Sequence, residues 1–325
     1  MALSDEKRVT IFGGSGFVGR RLVQLLARRD WRIRVAVRRP DLAGHVRPLG
    51  RVGQIAPVQA NVRYPESVAA AISGADVVIN LTGILNETGR QKFRAVHTMG
   101  AKNVAAAAKA AGVKRLVHMS ALGADENSPS AYQRSKALGE AEVLAAFKDA
   151  VVLRPSIQFG EGDGFFTRFA TLARWLPVLP LIGGNTRFQP VHVGDVAEAL
   201  ARAAEGMVKD GKVYELGGPD TETMADLIRR ILRETGRHNP LLPMPRALAS
   251  FGAAFTGLLP HPLLTRDQVT QLYIDNVVSD GASRQKRTFQ AFGIDAATME
   301  AILPTYLWRF RPHGQFDRPG ARVAP

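Results

Sequence analysis

Length, composition and charge already restrict the class of protein. The chain has 325 residues, 46% of them hydrophobic and 22% charged, which is typical of roughly two globular domains and not of a disordered chain. The absence of cysteine excludes disulfides and thiolate metal sites and fits a reducing compartment. Its 43 basic residues against 29 acidic ones give a net charge of +14, which predicts an anionic partner. A genome that favours Arg codons is the alternative explanation.

The N-terminus predicts where the protein works. Residues 1–7 include Asp5 and Glu6 and lead directly into an apolar run. This is neither a signal peptide nor a transit peptide pattern, and no apolar run in the chain is long enough to span a bilayer. We therefore expect a chain that starts here and works in the cytoplasm of a bacterium.

Strand-like and helix-like segments alternate over the first 155 residues. Short apolar runs begin at Val9, Ile33, Ile55, Val77, Leu116 and Val151. Because helical patterns separate them, the strands require crossovers and form a parallel sheet. The sequence predicts an α/β fold, a doubly wound Rossmann-like sheet over residues 1–155. A smaller C-terminal lobe is predicted over 156–325, with 186–216 returning to the sheet.

A glycine-rich turn follows the first predicted strand and leads into the first predicted helix. Its glycines give a tight turn, close approach to a pyrophosphate and close helix packing, and the helix start offers free N–H groups to phosphates. The turn predicts dinucleotide binding, with a purely structural turn as the alternative. The candidate phosphate-binding residues are Gly13, Ser15, Gly16, Phe17 and Gly19.

Two arginines end the second predicted strand. Arg38 and Arg39 stand where NAD-binding domains place an acid for the ribose hydroxyls, and the first acid here is Asp41. A carboxylate would repel a 2′-phosphate, whereas a guanidinium pairs with it. We therefore predict NADP(H) rather than NAD(H). Two solvated arginines on a loop are the alternative.

The ends of the next two predicted strands are candidates for contact with the adenosine. Asn61 and Val62 follow the third strand, and Leu81, Thr82 and Gly83 follow the fourth. Ligands of open α/β sheets bind beyond the carboxyl ends of the strands. Ordinary turns use the same residue types, so a structural role is equally open.

Tyr132 and Lys136 open a predicted helix after the fifth strand. Their i, i+4 spacing puts both side chains on one helix face. A nearby ammonium lowers the pKa of the phenol and can hold ribose hydroxyls, so that the phenol can exchange a proton with a substrate oxygen. The alternative is a packed tyrosine beside a solvated lysine.

These motifs together resemble the extended or atypical short-chain dehydrogenase/reductase superfamily. The glycine turn, the Tyr-x-x-x-Lys pair and residues 153–160 and 188–195 carry this resemblance. Residues 47–54, 117–122 and 260–269 are more specifically similar to the nucleotide-binding accessory subunit of respiratory complex I (NADH:ubiquinone oxidoreductase) and its alphaproteobacterial relatives. The resemblance runs from about Val9 to Ile302.

The resemblance implies that the cofactor is held rather than consumed. It implies tightly bound NADPH in a subunit of the membrane-proximal hydrophilic arm of complex I that supports assembly. Gly13, Gly16 and Gly19 would hold the pyrophosphate, and Arg38, with Arg39, the 2′-phosphate. Tyr132 and Lys136 would hold the nicotinamide ribose, with Pro155 and Ser156 near the nicotinamide.

The residue after the fifth strand departs from the pattern of active members. These carry a Ser or Thr that hydrogen-bonds the substrate carbonyl, whereas Ala121 stands here and Ser120 precedes it. Losing one such donor costs about 10²–10³ in rate. A placement shifted by one residue would make Ser120 catalytic together with Tyr132 and Lys136.

Two segments are candidates for contact with a partner or with lipid. Residues 247–259 are mostly apolar and lie between Arg246 and Arg266, which is typical of an interfacial helix or of a helix packed on the protein's own core. The basic tail, 305–325, would bind acidic lipid or a partner, or would fray. We expect peripheral attachment to the cytoplasmic face of a bacterial inner membrane, with complex I subunits as partners.

The sequence predicts neither a metal site nor binding of nucleic acid. Its seven histidines have no metal-ligand spacing, and it contains no recognisable nucleic-acid-binding module.

Three functions follow from these interpretations. The first is an NADPH-binding, non-catalytic accessory subunit or assembly factor of complex I. The second is an independent NADP-dependent reductase, dehydrogenase or epimerase that uses Tyr132 and Lys136. The third is a sensor of the cofactor ratio that binds a regulator.

Overall fold

The computed structural model describes residues 7–256 and 264–316, which divide into two compact units. The first unit contains residues 7–155, 193–216 and 278–295. The second contains residues 156–192, 217–256, 264–277 and 296–316. The predictions about residues 1–6, about the end of the apolar segment at 257–259 and about the tail from 317 onward fall outside the described residues.

The strands and helices follow the chain in this order. The strands are β1 (Arg8–Phe12), β2 (Arg32–Val37), β3 (Ile55–Gln59), β4 (Val77–Asn80), β5 (Arg115–Met119), β6 (Val151–Pro155), β7 (Gln158–Phe159), β8 (Leu179–Leu181), β9 (Arg187–Phe188), β10 (Val191–His192), β11 (Val213–Leu216), β12 (Glu222–Thr223) and β13 (Leu241–Pro243). The helices are α1 (Phe17–Arg28), α2 (Pro65–Ile72), α3 (Met99–Ala110), α4 (Ala131–Ala146), α5 (Phe166–Trp175), α6 (Val193–Glu205), α7 (Met224–Glu234), α8 (Arg246–Thr256), α9 (Arg266–Gln271), α10 (Asp280–Arg284) and α11 (Met299–Leu307). A 3₁₀ segment spans Pro40–Leu49, and a π-helical turn, Arg94–Thr98, precedes α3.

The first unit is built on a seven-stranded parallel sheet. The strand order is β11-β6-β5-β4-β1-β2-β3, and Val9 of β1 pairs with Ile33 on one side and with Val77 on the other. The direction of winding changes between β1 and β4, and ligands of such sheets bind beyond the carboxyl ends of the strands at this point. The predicted α/β, doubly wound fold is confirmed.

Helices cover both faces of this sheet. One face packs on α2 and α3, which bury Val68, Ile72 and Val104 in a common apolar cluster. The other face is covered by α1 and α6, which are joined by ion pairs from Arg29 to Glu198 at 2.6 Å and to Glu205 at 2.7 Å. Burial on both faces explains why the strands read as continuous apolar runs.

The second unit has short two-stranded ladders instead of a large sheet. The ladders pair β10 with β7, β12 with β9 and β13 with β8. Its core is an apolar cluster that includes Phe159, Phe166, Leu179, Ile231 and Leu303. Across residues 7–256 and 264–316, no helix is long and apolar enough to cross a membrane.

We expect Gly139→Ala to destabilise the first unit. A Cβ at Gly139 would lie 2.3 Å from the carbonyl oxygen of His97, so α4 and the π-helical turn would have to separate. We expect a loss of about 1–3 kcal/mol in the free energy of unfolding by denaturant, although alanine normally favours a helix. Gly44→Ala is the control, because its Cβ would meet nothing within 4 Å. Equal unfolding midpoints for the two variants would contradict this packing.

Candidate cofactor-binding site

The glycine turn lies against the end of β4 at the point where the winding changes. Gly13 has φ +78°, a conformation that glycine adopts without strain. A Cβ at Gly13 would lie 3.3 Å from the backbone carbonyl carbon and oxygen of Leu81. The predicted residues Leu81 and Thr82 therefore pass directly beside the turn, whereas Gly83 lies near Lys136.

The start of α1 leaves backbone N–H groups free for an anion. Gly16 is the N-cap, offers no side-chain cap, and donates its N–H to the Gly13 carbonyl at 3.1 Å. The first turn of α1 holds no acidic residue, so the positive end of the helix dipole is not neutralised. A Cβ at Gly19 would lie 2.5 Å from the carbonyl carbon of Gly14, so only glycine fits there. The arrangement fits a pyrophosphate.

Ser15 and Phe17, the other two predicted turn residues, are half-buried. The Ser15 carbonyl lies 3.2 Å from Nε2 of His45, whose Nδ1 lies 3.2 Å from the Leu42 carbonyl. The ring of His45 thereby connects the turn to the 3₁₀ segment that follows the two arginines.

The two arginines after β2 have different surroundings. Arg39 is paired with Asp41, with 2.8 Å between Nη2 and Oδ2, and this bond lowers the pKa of Asp41. Arg38 is exposed and forms no hydrogen bond or ion pair with any other described residue. Arg38 therefore has a guanidinium available for a phosphate, while Arg39 has its own carboxylate.

The polar groups at the end of β3 hold the loop together. The Asn61 side-chain oxygen accepts the N–H of Arg63 at 3.2 Å, and the Asn61 N–H donates to Ser67 Oγ at 3.0 Å. Val62 is buried, and its carbonyl accepts a hydrogen bond from the Asn103 side chain at 2.8 Å. Asn61 and Val62 therefore shape the loop with their own hydrogen bonds.

Helix α4 places Lys136 beside the ends of β4 and β5. The lysine is buried, and its Nζ donates to the Met119 carbonyl at 3.2 Å. Burial lowers the pKa of Lys136 to about 8, against the opposing attraction of Glu140. A Cβ at Gly83 would lie 3.4 Å from Nζ, so glycine at this position leaves the ammonium open on that side.

The ring of Tyr132 is held by two other rings. Its edge packs against Phe93, with 5.8 Å between centroids, and against His97, with 5.4 Å. Phe93 and His97 stack on each other at 5.4 Å. The three rings fix where the phenol lies relative to α4.

His97 is a site residue that the sequence did not reveal. Its Nε2 accepts the N–H of Ile84 at 2.9 Å, so its proton sits on Nδ1, which lies 2.8 Å from Ser135 Oγ. The Ser135 hydroxyl donates in turn to the Tyr132 carbonyl at 2.7 Å. Burial and the nearby Lys136 lower the pKa of His97 to about 2. The π-helical turn that holds His97 leaves no signature in the residue pattern, although such turns are frequent at functional sites.

His118 on β5 is a second buried and neutral histidine near this lysine. Its Nδ1 lies 3.2 Å from the amide nitrogen of Asn80, and burial together with Lys136 lowers its pKa to about 3. Asn80 also accepts the Thr82 N–H at 3.1 Å. Thr82 is therefore held by a side chain from the end of β4.

Ser120 carries a buried hydroxyl without a hydrogen-bond partner among the described residues. Its backbone N–H donates to the Leu153 carbonyl at 2.7 Å. An unpaired buried hydroxyl costs about 1–3 kcal/mol, which fits a group that is completed by a ligand. Strand β5 ends at Met119, so Ser120 directly follows the strand and Ala121 comes one position later than the sequence analysis placed it.

The predicted nicotinamide neighbours fall in different units. Pro155 ends β6 in the first unit, and its carbonyl accepts the N–H of Leu122 at 2.9 Å. Ser156 begins the second unit, where its hydroxyl donates to the Asn276 side-chain oxygen at 2.6 Å. All other predicted site residues belong to the first unit.

Comparison with known proteins identifies the class. A family model described as NAD(P)H-binding matches residues 13–155. The solved NADPH-dependent quinone oxidoreductase QOR2 of Escherichia coli shares the fold, with a TM-score of 0.69 at 22% identity over 89% of this chain and 96% of that one. Residues 13–155 are an NAD(P)H-binding domain, and the fold is Rossmann-like, as predicted.

Two relatives that are each 36% identical to this chain show which family it belongs to. The mitochondrial NADH dehydrogenase [ubiquinone] 1 alpha subcomplex subunit 9 of Arabidopsis thaliana is 36% identical over 94% of this chain and 78% of its own length. The ceramide reductase of Caulobacter vibrioides is 36% identical over 69% of this chain and 70% of its own length. The chain belongs to the family of NADH dehydrogenase [ubiquinone] 1 alpha subcomplex subunit 9, which confirms the resemblance to the complex I accessory subunit.

We expect acid to destabilise the first unit through its buried histidines. His97 and His118 have pKa values of about 2 and about 3 in the fold against about 6.5 when unfolded. Protonation therefore favours the unfolded chain. The contribution of the two neutral histidines to the free energy of unfolding is fully present above about pH 6.5 and is lost as the pH falls. Each histidine contributes about 1.4 kcal/mol per pH unit below that value.

Denaturant unfolding at several pH values between 7 and 4.5 tests this expectation. His118→Gln should reduce the pH slope of the unfolding free energy by about one histidine's share, whatever its stability at pH 7. His238→Gln, at an exposed position, should keep the full slope. Identical slopes for the two variants would show that His118 is not neutral in the fold.

Proposed function

We propose that this protein is an NADPH-holding accessory subunit or assembly factor of complex I. The observation that carries the proposal is the relationship to subunit 9 of NADH dehydrogenase. A site whose charges and free N–H groups suit phosphates supports it. The Arabidopsis thaliana relative named as subunit 9 of NADH dehydrogenase is 36% identical over 94% of this chain. The open start of α1 and the unpaired Arg38 supply the two phosphate contacts.

The adenosine end of the cofactor would bind by electrostatics. The N–H groups at the start of α1, beside Gly13, Ser15 and Gly16, would take the pyrophosphate. Arg38 would pair with the 2′-phosphate, since it has no carboxylate of its own, whereas Arg39 remains with Asp41. A dinucleotide without the 2′-phosphate would leave Arg38 without this partner, which favours NADPH.

The nicotinamide end would bind by hydrogen bonds from buried groups. The Lys136 ammonium would hold the ribose hydroxyls, aided by the Tyr132 phenol, and Ser120 would complete its hydrogen bonding there. Burial lowers the pKa of Lys136 to about 8. Ribose hydroxyls that accept hydrogen bonds from its ammonium would favour the charged form. This arrangement stabilises the bound cofactor without any chemical step.

A second candidate function is an NADPH-dependent carbonyl reductase. The 36% identity to a ceramide reductase favours it, as does the presence of Ser120, Tyr132 and Lys136 in one unit. When bound, NADPH would supply the hydride for the substrate carbonyl carbon. Tyr132 would donate a proton to the carbonyl oxygen, Ser120 would hydrogen-bond that oxygen, and Lys136 would lower the pKa of the phenol.

The location follows from the partner. The relatives named as subunit 9 belong to a mitochondrial enzyme that acts on ubiquinone, according to their names. We infer that this chain attaches peripherally to the cytoplasmic face of a bacterial inner membrane through complex I subunits. The apolar segment 247–259 and the basic tail are the parts of the sequence that favour additional contact with the membrane.

Arg38→Ala should weaken NADPH binding without weakening NADH binding. Removing a charge-assisted phosphate contact costs about 1.5–3 kcal/mol, which is about 10- to 150-fold in Kd. Arg39→Ala is the matched control and should change the NADPH Kd by less than about threefold, because Arg39 is paired with Asp41. Isothermal titration of the wild type and both variants with both cofactors measures the six dissociation constants. Equal losses for NADPH and NADH in Arg38→Ala would refute the 2′-phosphate contact.

Co-purification separates the two candidate functions. Affinity capture of the native chain from solubilised membranes should bring complex I subunits with it, and Tyr132→Phe should leave both capture and cofactor content within about twofold. A chain that is captured alone and consumes NADPH with a keto-lipid, an activity that Tyr132→Phe abolishes, would establish the reductase instead.

A further inference from the structure

Helix α8 in the second unit is apolar on two opposite sides. Ala249 and Ala253 are buried one turn apart and pack on Ile182 and Met244. Leu248 and Phe251, on the other side, are 58% and 62% exposed. No charged residue lies between 247 and 256. A helix that is apolar on both sides is normally covered on both, whereas Leu248 and Phe251 keep more than half of their surface exposed among the described residues.

The ladder of β8 and β13 presents more apolar surface. Leu179 points into the core, and strand alternation places Val178 and Leu242 on the opposite face. Leu242 is 60% exposed, and Trp175 at the end of α5 is 75% exposed. The ladder therefore shows the same pattern as α8, with one buried face and one exposed apolar face.

The ladder and α8 are directly connected. Met244 donates its N–H to the Leu181 carbonyl at 2.8 Å, and α8 begins two residues later at Arg246. The Asn239 side chain ties the residues before β13 to the carbonyl of Leu176 at 2.5 Å. We define the apolar surface by its exposed members, which are Trp175, Leu176, Val178, Leu242, Leu248 and Phe251.

The charge of the segments that carry this surface has one sign. No Asp or Glu occurs between Asp163 and Asp195, or between Glu234 and Asp267. The charged residues in these two segments are Arg168, Arg174, Arg187, Arg237, Arg246 and Arg266. Arg174 lies over the ring of Trp175 at 5.8 Å, and Arg246 over the ring of Tyr273 at 5.4 Å.

We propose that the apolar surface docks on an anionic phospholipid bilayer. Leu, Phe and Trp side chains enter the boundary between headgroups and acyl chains, while arginines with aliphatic stems and positive ends meet the lipid phosphates. Arg187 is already paired with Asp275, which leaves the other arginines of these segments, Arg174 and Arg246 among them, to meet anionic headgroups. The inference rests on the peripheral membrane location proposed above and names the lipid as a direct partner.

Vesicle flotation with the full chain tests this docking. The wild type should float with vesicles of phosphatidylcholine and phosphatidylglycerol, and at least tenfold less with phosphatidylcholine alone or in high salt. Leu248→Ser/Phe251→Ser should reduce the partition coefficient by about tenfold or more. Each of the two apolar side chains would contribute free energy when it moves from water into the bilayer. Leu42→Ser/Val52→Ser is the matched control, because it removes two exposed apolar side chains of the first unit and should change nothing.

Fluorescence gives a second readout that does not depend on a variant with altered folding. Brominated acyl chains should quench the wild-type tryptophan emission, and Trp175→Phe should remove most of that quenching. Absence of flotation, equal flotation with uncharged vesicles, or equal losses in the two double variants would overturn the docking. So would capture of complex I subunits by a chain that does not bind vesicles, an outcome that would leave the proposed function standing.

Discussion

The close contact between the glycine turn and the end of β4 is the constraint on which the site depends. Gly13 lies against the Leu81 carbonyl, and Gly19 leaves no room for a Cβ beside Gly14. Any larger side chain would push α1 away from the sheet. Because α1 starts this close, its free N–H groups and the end of β2 with Arg38 border the same switch point. The close packing of α1 on the sheet and the open start of this helix both follow from this one approach.

Burial controls the opposite end of the site. Lys136, His97 and His118 are all removed from water, and the pKa of each is lowered. The histidines remain neutral, so the lysine is the group that can carry charge there near neutral pH. The site thus has an exposed guanidinium, that of Arg38, at one end and a shielded ammonium, that of Lys136, at the other, and in the proposed function these would hold the 2′-phosphate and the ribose. This distribution suits a molecule that is strongly anionic at one end and merely polar at the other.

The sequence predicted those parts of the molecule that are local. The glycine turn, the parallel sheet and the family follow from short-range patterns, and all three are confirmed. Arg39 is ion-paired and Arg38 is not, because the fold turns the carboxylate of Asp41 toward Arg39. The sequence alone does not define this direction. His97 was missed because a π-helical turn has no sequence signature, and the unpaired hydroxyl of Ser120 depends on residues distant in the chain. The roles of these residues toward a cofactor stay predictions.

The most direct test of the account is native mass spectrometry of the chain released from gently prepared membranes. We predict one NADP(H) per chain, retained together with complex I subunits in the larger assemblies. The cofactor should be lost from Arg38→Ala at an ionic strength that leaves the wild type loaded. A correctly folded chain that carries no nucleotide, or that carries NAD(H) and does not bind added NADPH, would contradict the account.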